Sequence, residues 1–159
     1  MRSLFILSTA FLTQLFFPHN PPPRFIDPTG TYVLMGTIKK NRITGHSGEI
    51  RVQLLDGQRD SQRIALCFYI NKGYPDYESG SFIDTLAYVD SSSRYSPTAD
   101  PSCAILFNFH HHAVEIAELY ADPLSGCGFP KGVLISAVFD KTSADRPIIK
   151  DLSTRGITH

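Results

Sequence analysis

Glu49-Ile50-Arg51-Val52-Gln53-Leu54 alternates polar or charged side chains with aliphatic ones without a break. Successive side chains of an extended chain point to opposite faces, so Ile50, Val52 and Leu54 share one face and Glu49, Arg51 and Gln53 the other. Asp56-Gly57 is a turn signal, and after the polar stretch 58–63 the spacing resumes at Ile64, Leu66, Phe68 and Ile70. The two runs predict a β-hairpin with a lengthened loop. Cys67 is out of phase with the second run and is expected on its opposite face, as a small buried hydrophobe in a second apolar layer.

Working outward, further strands are predicted at 32–38, 81–89, 103–109, 113–119 and 133–139, divided by clusters of Gly, Pro, Asn, Asp and Ser. Residues 113–120 (AVEIAELY) contain good helix formers, but Val114 and Ile116 alternate with Glu115 and the preceding His run suits a turn, so strand is the reading. With 11 Phe and 7 Tyr to favour strands and 11 Gly and 11 Pro to punctuate them, the expected fold is all-β. It is a small antiparallel meander, closed as a β-barrel or folded into a sandwich.

The chain of 159 residues suits one domain. Residues 1–18 look like a signal: Arg2 gives one positive charge, and 4–17 (LFILSTAFLTQLFF) form a mostly apolar run, shorter than the roughly 20 residues of a spanning helix. A spacer at 19–26 follows, built on Asn20-Pro21-Pro22-Pro23, whose prolines favour extended chain. The barrel is expected over 27–143, and a tail over 144–159 carries an apolar patch, Pro147-Ile148-Ile149, suited to docking on it. These features predict export, to the periplasm or beyond, with no integral membrane span. Fifteen basic residues balance fifteen acidic ones and no basic run is interleaved with aromatics, which argues against nucleic-acid binding.

An oxidising compartment favours a disulfide between Cys103 and Cys127. If Cys103 starts one strand and Cys127 follows its antiparallel neighbour, both lie at one end of a hairpin, and the bridge contributes about 3 kcal/mol. His110-His111-His112 is the tempting metal cluster, but adjacent residues in a strand alternate faces and those in a turn splay apart, so a solvated turn is the reading. No HExxH pattern or paired cysteine ligands complete a site. No metal or cofactor is expected. Asp76, Glu78 and Asp84 surround an aromatic loop, but proximity in sequence does not set the separation that paired-carboxylate chemistry requires. Ser79-Gly80-Ser81 lacks the full nucleophile-elbow pattern. Catalysis is therefore not expected. The loop Tyr74-Pro75-Asp76-Tyr77-Glu78 is the candidate binding surface, with Tyr74, Asp76, Tyr77 and Glu78 as its contact residues, because tyrosine offers contact area at low entropy cost.

Gly30-Thr31-Tyr32, Ser79-Gly80-Ser81, the Cys103-led strand, Val114-Glu115-Ile116 and Cys127-Gly128-Phe129 together resemble a group of small exported bacterial β-domain proteins, most of them uncharacterised. The resemblance spans 30–141. The plan is also similar to that of the periplasmic lysozyme inhibitors, themselves small antiparallel barrels. These resemblances imply a binding or envelope-associated module, a protein inhibitor or a glycan binder, with an envelope protein or glycan as partner. The other reading is a carrier with a small apolar ligand or lipid inside the barrel.

Overall fold

The computed structural model describes residues 25–55, 62–120 and 126–150. The signal-like segment, most of the spacer, the Asp56-Gly57 turn and the tail beyond Lys150 lie outside the described residues. Ten strands follow in order: β1 (Gly30–Leu34), β2 (Thr37–Lys39), β3 (Arg42–Thr44), β4 (Ser47–Leu55), β5 (Gln62–Asn71), β6 (Ser79–Val89), β7 (Ser92–Tyr95), β8 (Cys103–Phe109), β9 (Ala113–Tyr120) and β10 (Ala137–Ser143). Eight of them form a closed antiparallel barrel in the order β1-β10-β9-β8-β7-β6-β5-β4, with β1 pairing β4 to complete the ring. The remaining two, β2 and β3, form a separate hairpin inserted between β1 and β4.

The alternation sets the radial direction of each side chain. Ile50, Val52, Ile64, Leu66, Phe68 and Ile70 are fully buried, and the register pairs Ile50 with Phe68 and Val52 with Leu66 on the inner face. An eight-stranded barrel is just wide enough for side chains to fill its bore. Phe68 lies at the centre of that filling, with the rings of Phe82, Phe107, Phe129 and Phe139 at centroid distances of 5.4, 5.9, 5.9 and 6.1 Å.

Each end is closed by chain rather than left open. At one end, residues 25–29 cross the mouth: the Tyr32 phenol donates to the Pro28 carbonyl (2.8 Å) and the Tyr88 phenol to that of Ile26 (2.6 Å). The opposite end carries the β1–β4 connection, the β5–β6 loop and the segment that follows Cys127. Cys103, at the head of β8, opposite Tyr120, is bridged to Cys127, with their Cα atoms 5.3 Å apart. The bridge anchors residues 126–136, from which Phe129, Val133 and Leu134 pack on the core. Gly80 makes room for this plug, since a Cβ there would overlap the Phe129 ring. The His46 ring nitrogen Nε2, bonded to the Gly132 carbonyl at 2.8 Å, ties the plug to the wall.

Three features depart from the sequence expectations. The last strand is Ala137–Ser143 rather than 133–139, because Val133 and Leu134 are apolar for plugging the mouth, and the turn closed by Val133 N–H to the Pro130 carbonyl (3.0 Å) precedes the strand. The first strand stops at Leu34, and Ile38 belongs to the inserted hairpin. Ser92–Tyr95, a strand whose serines read as separators, completes the ring.

Cys67 does point outward, and it is buried there. The tail covers it: Pro147 accepts a hydrogen bond from Gln53 Nε2, the Ile148 carbonyl accepts one from Arg51 (3.2 Å), and the Lys150 carbonyl accepts one from the Cys67 thiol (3.0 Å). Residues 147–150 thus form a strap along the outer face of β4 and β5.

Two outcomes follow from the ends of the barrel. Replacing Cys103 and Cys127 together by Ala lowers the unfolding free energy by roughly 3 kcal/mol in urea titrations, the loop-entropy value for a bridge of this span. Burial first, and then the neighbouring Tyr88 and Asp27, raise the Tyr32 phenol well above its ordinary 10.0, and burial raises Tyr88 as well. The unfolded chain releases these protons first, so stability held at neutral pH falls as pH rises from about 10 towards the folded-state values. Tyr32→Phe with Tyr88→Phe flattens that alkaline loss in pH-dependent denaturation, while lowering stability at neutral pH through the lost hydrogen bonds.

Candidate functional site

The β5–β6 loop holds its aromatic residues in a fixed frame. Asn71 organises it from the strand end: its side-chain amide donates to the Tyr77 carbonyl (2.8 Å) and its side-chain oxygen accepts from the Gly73 amide (2.7 Å). Backbone bonds from Lys72 N–H to the Glu78 carbonyl and from Tyr77 N–H to the Gly73 carbonyl, 2.8 and 2.9 Å, close the turn. The Tyr74-Pro75 peptide is cis. Tyr74 and Tyr77 are 45% and 46% exposed and meet edge to face, with ring centroids 6.3 Å apart. Asp76 and Glu78 both face the Lys72 ammonium, at 3.3 and 3.6 Å, so their charges are partly balanced within the loop.

Sequence reasoning missed what stands beside the loop. The β2–β3 hairpin turns through Lys40 and Asn41, both at positive φ, the geometry of a tight two-residue hairpin turn. Its strands pair Thr37 with Thr44, Ile38 with Ile43 and Lys39 with Arg42. The hairpin is latched to the tyrosine loop: the Tyr74 amide donates to the Ile43 carbonyl at 2.9 Å, and the Arg42 guanidinium lies 4.6 Å from the centre of the Tyr74 ring. Gly73, at φ 76°, permits this approach, because a Cβ would strike the Gly45 carbonyl oxygen. The readable signals were the Gly36 and Gly45 that flank the hairpin and the αL-tolerant Asn41; Gly36 fell inside the run 32–38 read as one strand, and Asn41 and Gly45 fell in the stretch after it, which was assigned no strand.

Between the hairpin and the barrel wall lies a groove of about 310 Å³, lined chiefly by Val33, Leu34, Met35, Ile38, Ile43 and Tyr69. Val33 and Tyr69 are outward-facing wall residues, so the groove is outside the barrel. Glu49 also borders it, with its carboxylate paired to Arg51 at 2.5 Å.

The other candidates are scattered. Asp84 stands partway along β6, opposite Leu66, where its carboxylate accepts from the Thr85 amide, away from Asp76 and Glu78 at the loop. Burial and then Asp84 raise the Tyr95 phenol. The Tyr95 ring stacks on Phe82 with centroids 3.7 Å apart. His110, His111 and His112 form the exposed β8–β9 turn at the barrel end opposite the tyrosine loop, with the rings of His111 and His112 6.4 Å apart. Among the described residues, no group of three or more His, Cys, Asp or Glu side chains converges as a metal site requires. No helix among them is long and apolar enough to cross a membrane.

The chain matches no protein-family model, no curated protein and no solved structure.

Because the His turn is exposed and its contribution to the fold is through its backbone, from the His110 amide to the Ala113 carbonyl and from the Lys141 amide to the His112 carbonyl, each 2.8 Å, His111→Ala with His112→Ala leaves stability within about 0.5 kcal/mol of the parent. Thermal denaturation with and without a chelator checks this, and a chelator-sensitive midpoint in the parent alone contradicts it.

Proposed function

We propose that this protein is a non-catalytic, exported binding or envelope-associated module that recognises an envelope protein or glycan through the aromatic end of its barrel. A protein inhibitor or a glycan binder is the specific form favoured. The observation that carries the reading is the half-exposed Tyr74–Tyr77 pair, held by Asn71, the Gly73 turn and the β2–β3 latch. Side chains fixed before binding lose little freedom on binding, which favours affinity. Asp76, Glu78 and Lys72 supply a polar border around the rings, the mixture of anchors and rim found in recognition surfaces.

The Cys103–Cys127 bridge suits a non-reducing compartment, and this supports export to the periplasm or medium. The resemblance to small exported β-domains and to periplasmic lysozyme inhibitors points the same way by analogy of plan. The bore is filled by the rings around Phe68, so a carrier role for the barrel axis draws no support from the described residues.

The test is capture of peptidoglycan fragments on a glycan array and of proteins from envelope extracts, by the parent and by Tyr74→Ala with Tyr77→Ala. The variant is expected to keep its thermal midpoint within about 3 °C and to lose capture by a factor of about ten or more. Unfolding of the variant makes the tyrosines core residues. A folded variant that captures as the parent does moves the recognition surface elsewhere.

A further inference from the structure

On the recognition reading above, we propose that the β2–β3 hairpin is the anion subsite of the tyrosine loop, and that the ligand is an acidic glycan, a chain of sugar rings bearing carboxylates. Lys39, Lys40 and Arg42 take the carboxylates, and the sugar rings lie on the exposed surface of Tyr74 and Tyr77.

Charge placement gives the first argument. Between Asp27 and Glu49 the chain has three cations, Lys39, Lys40 and Arg42, and no carboxylate, although its charges balance overall. All three are exposed, and among the described residues none of them forms an ion pair. Their arrangement costs the hairpin stability. The register sets Lys39 directly opposite Arg42, and like charges facing each other across a strand pair are destabilising. Lys40 occupies the turn at φ 49°, a backbone region that glycine or asparagine enters more easily. A ribbon with three residues in each strand has little stability to spare, so repelling charges at its tip point to an anion that relieves them.

The second argument is position. Directly opposed residues share one face, so Lys39 lies beside Arg42 on the side turned away from Ile38 and Ile43. On that side the Arg42 guanidinium lies 4.6 Å from the centre of the Tyr74 ring. The cations therefore adjoin the aromatic surface and not the apolar groove. A guanidinium resting on a ring is restrained before any ligand arrives, and its N–H fork matches a planar carboxylate.

The tyrosine loop selects the class of chain that carries the anion. Asp76 and Glu78 are exposed beside Tyr74 and Tyr77, with Lys72 as their cation. They repel the closely spaced carboxylates of an acidic peptide, whereas sugar hydroxyls donate hydrogen bonds to them. A sugar acid brings together on one ring what the three regions take: a C–H face for the tyrosines, hydroxyls for the loop carboxylates and an anion for the hairpin.

The experiment measures calorimetric binding of the full chain to tetramers of galacturonate, glucuronate and mannuronate, each as the free acid and as the methyl ester, and to hexaglutamate. At least one free acid is expected to bind saturably, tighter than its ester by a factor of about ten or more, and to weaken as salt rises. Lys39→Gln with Lys40→Gln, at exposed positions, is expected to bring the acid down to the affinity of the ester without lowering the thermal midpoint. Arg42→Gln is expected to act in the same way, and Arg42→Lys to restore part of the preference. Failure of all three acids to bind, equal affinity of the parent for acid and ester, or a preference that survives both charge variants overturns the proposal. Tighter binding of hexaglutamate gives the surface to an acidic protein and also overturns it. Envelope capture that is lost in the tyrosine variant but kept in both charge variants overturns the acidic glycan alone and leaves the recognition reading standing. Capture kept in the tyrosine and the charge variants overturns both.

Discussion

Phe68 sets the condition that the rest of the molecule meets. Closing eight strands into a ring creates a bore, and an unfilled bore forfeits the dispersion contacts and apolar burial that offset chain entropy. The Phe68 ring reaches Phe82 on the next strand, Phe107 and Phe139 across the barrel and Phe129 from the plug. Strands distant in sequence are thereby joined through one side chain, and the plug is counted among them. The disulfide makes that last contact durable, because it ties residues 126–136 to the head of β8 and keeps Phe129 at the mouth.

Filling the axis moves chemistry to the outside. The outer face of β4 and β5 shows two ways in which outward residues become occupied. Towards one end the strap 147–150 covers Arg51, Gln53 and Cys67, with the strap's carbonyls accepting hydrogen bonds from all three side chains. Towards the other end the hairpin stands off the wall and leaves the groove. Glu49 and Arg51 lie between the two regions, each satisfied by the other, so the wall carries a neutral pair where the covered and uncovered surfaces meet.

The barrel was legible wherever one side of a strand faces the core and the other does not. Residues 49–54 and 64–70 showed their faces by alternation alone, and the cysteine spacing indicated the bridge. Legibility failed where a residue is apolar for another reason. Val133 and Leu134 fill a mouth from a turn, without strand periodicity, and so displaced the expected last strand. Ile38 alternates properly, but in a hairpin that serves no barrel face. Ser92–Tyr95 failed in the opposite sense, because Ser93, although inward and buried, has no apolar signature. Of the site, the tyrosine loop was readable from its composition. The latch was not, since it depends on a main-chain bond between Tyr74 and Ile43, which any pair of residues can make.

That latch links folding to surface chemistry. The hairpin is a two-stranded ribbon with three residues in each strand, and ribbons of this size are marginal in water on their own. Its order therefore depends on the loop it touches, and the loop in turn is organised by Asn71 at the end of a core strand. A chain of contacts thus runs from the packed interior of β5, through Asn71 and Gly73, to Tyr74 and on to Ile43. Loosening it at Gly73 would disorder both exposed surfaces at once and leave the barrel standing, because the rings around Phe68 make no use of the hairpin. The core fixes where the outer surfaces begin, and the Tyr74–Ile43 bond fixes how they are held relative to each other.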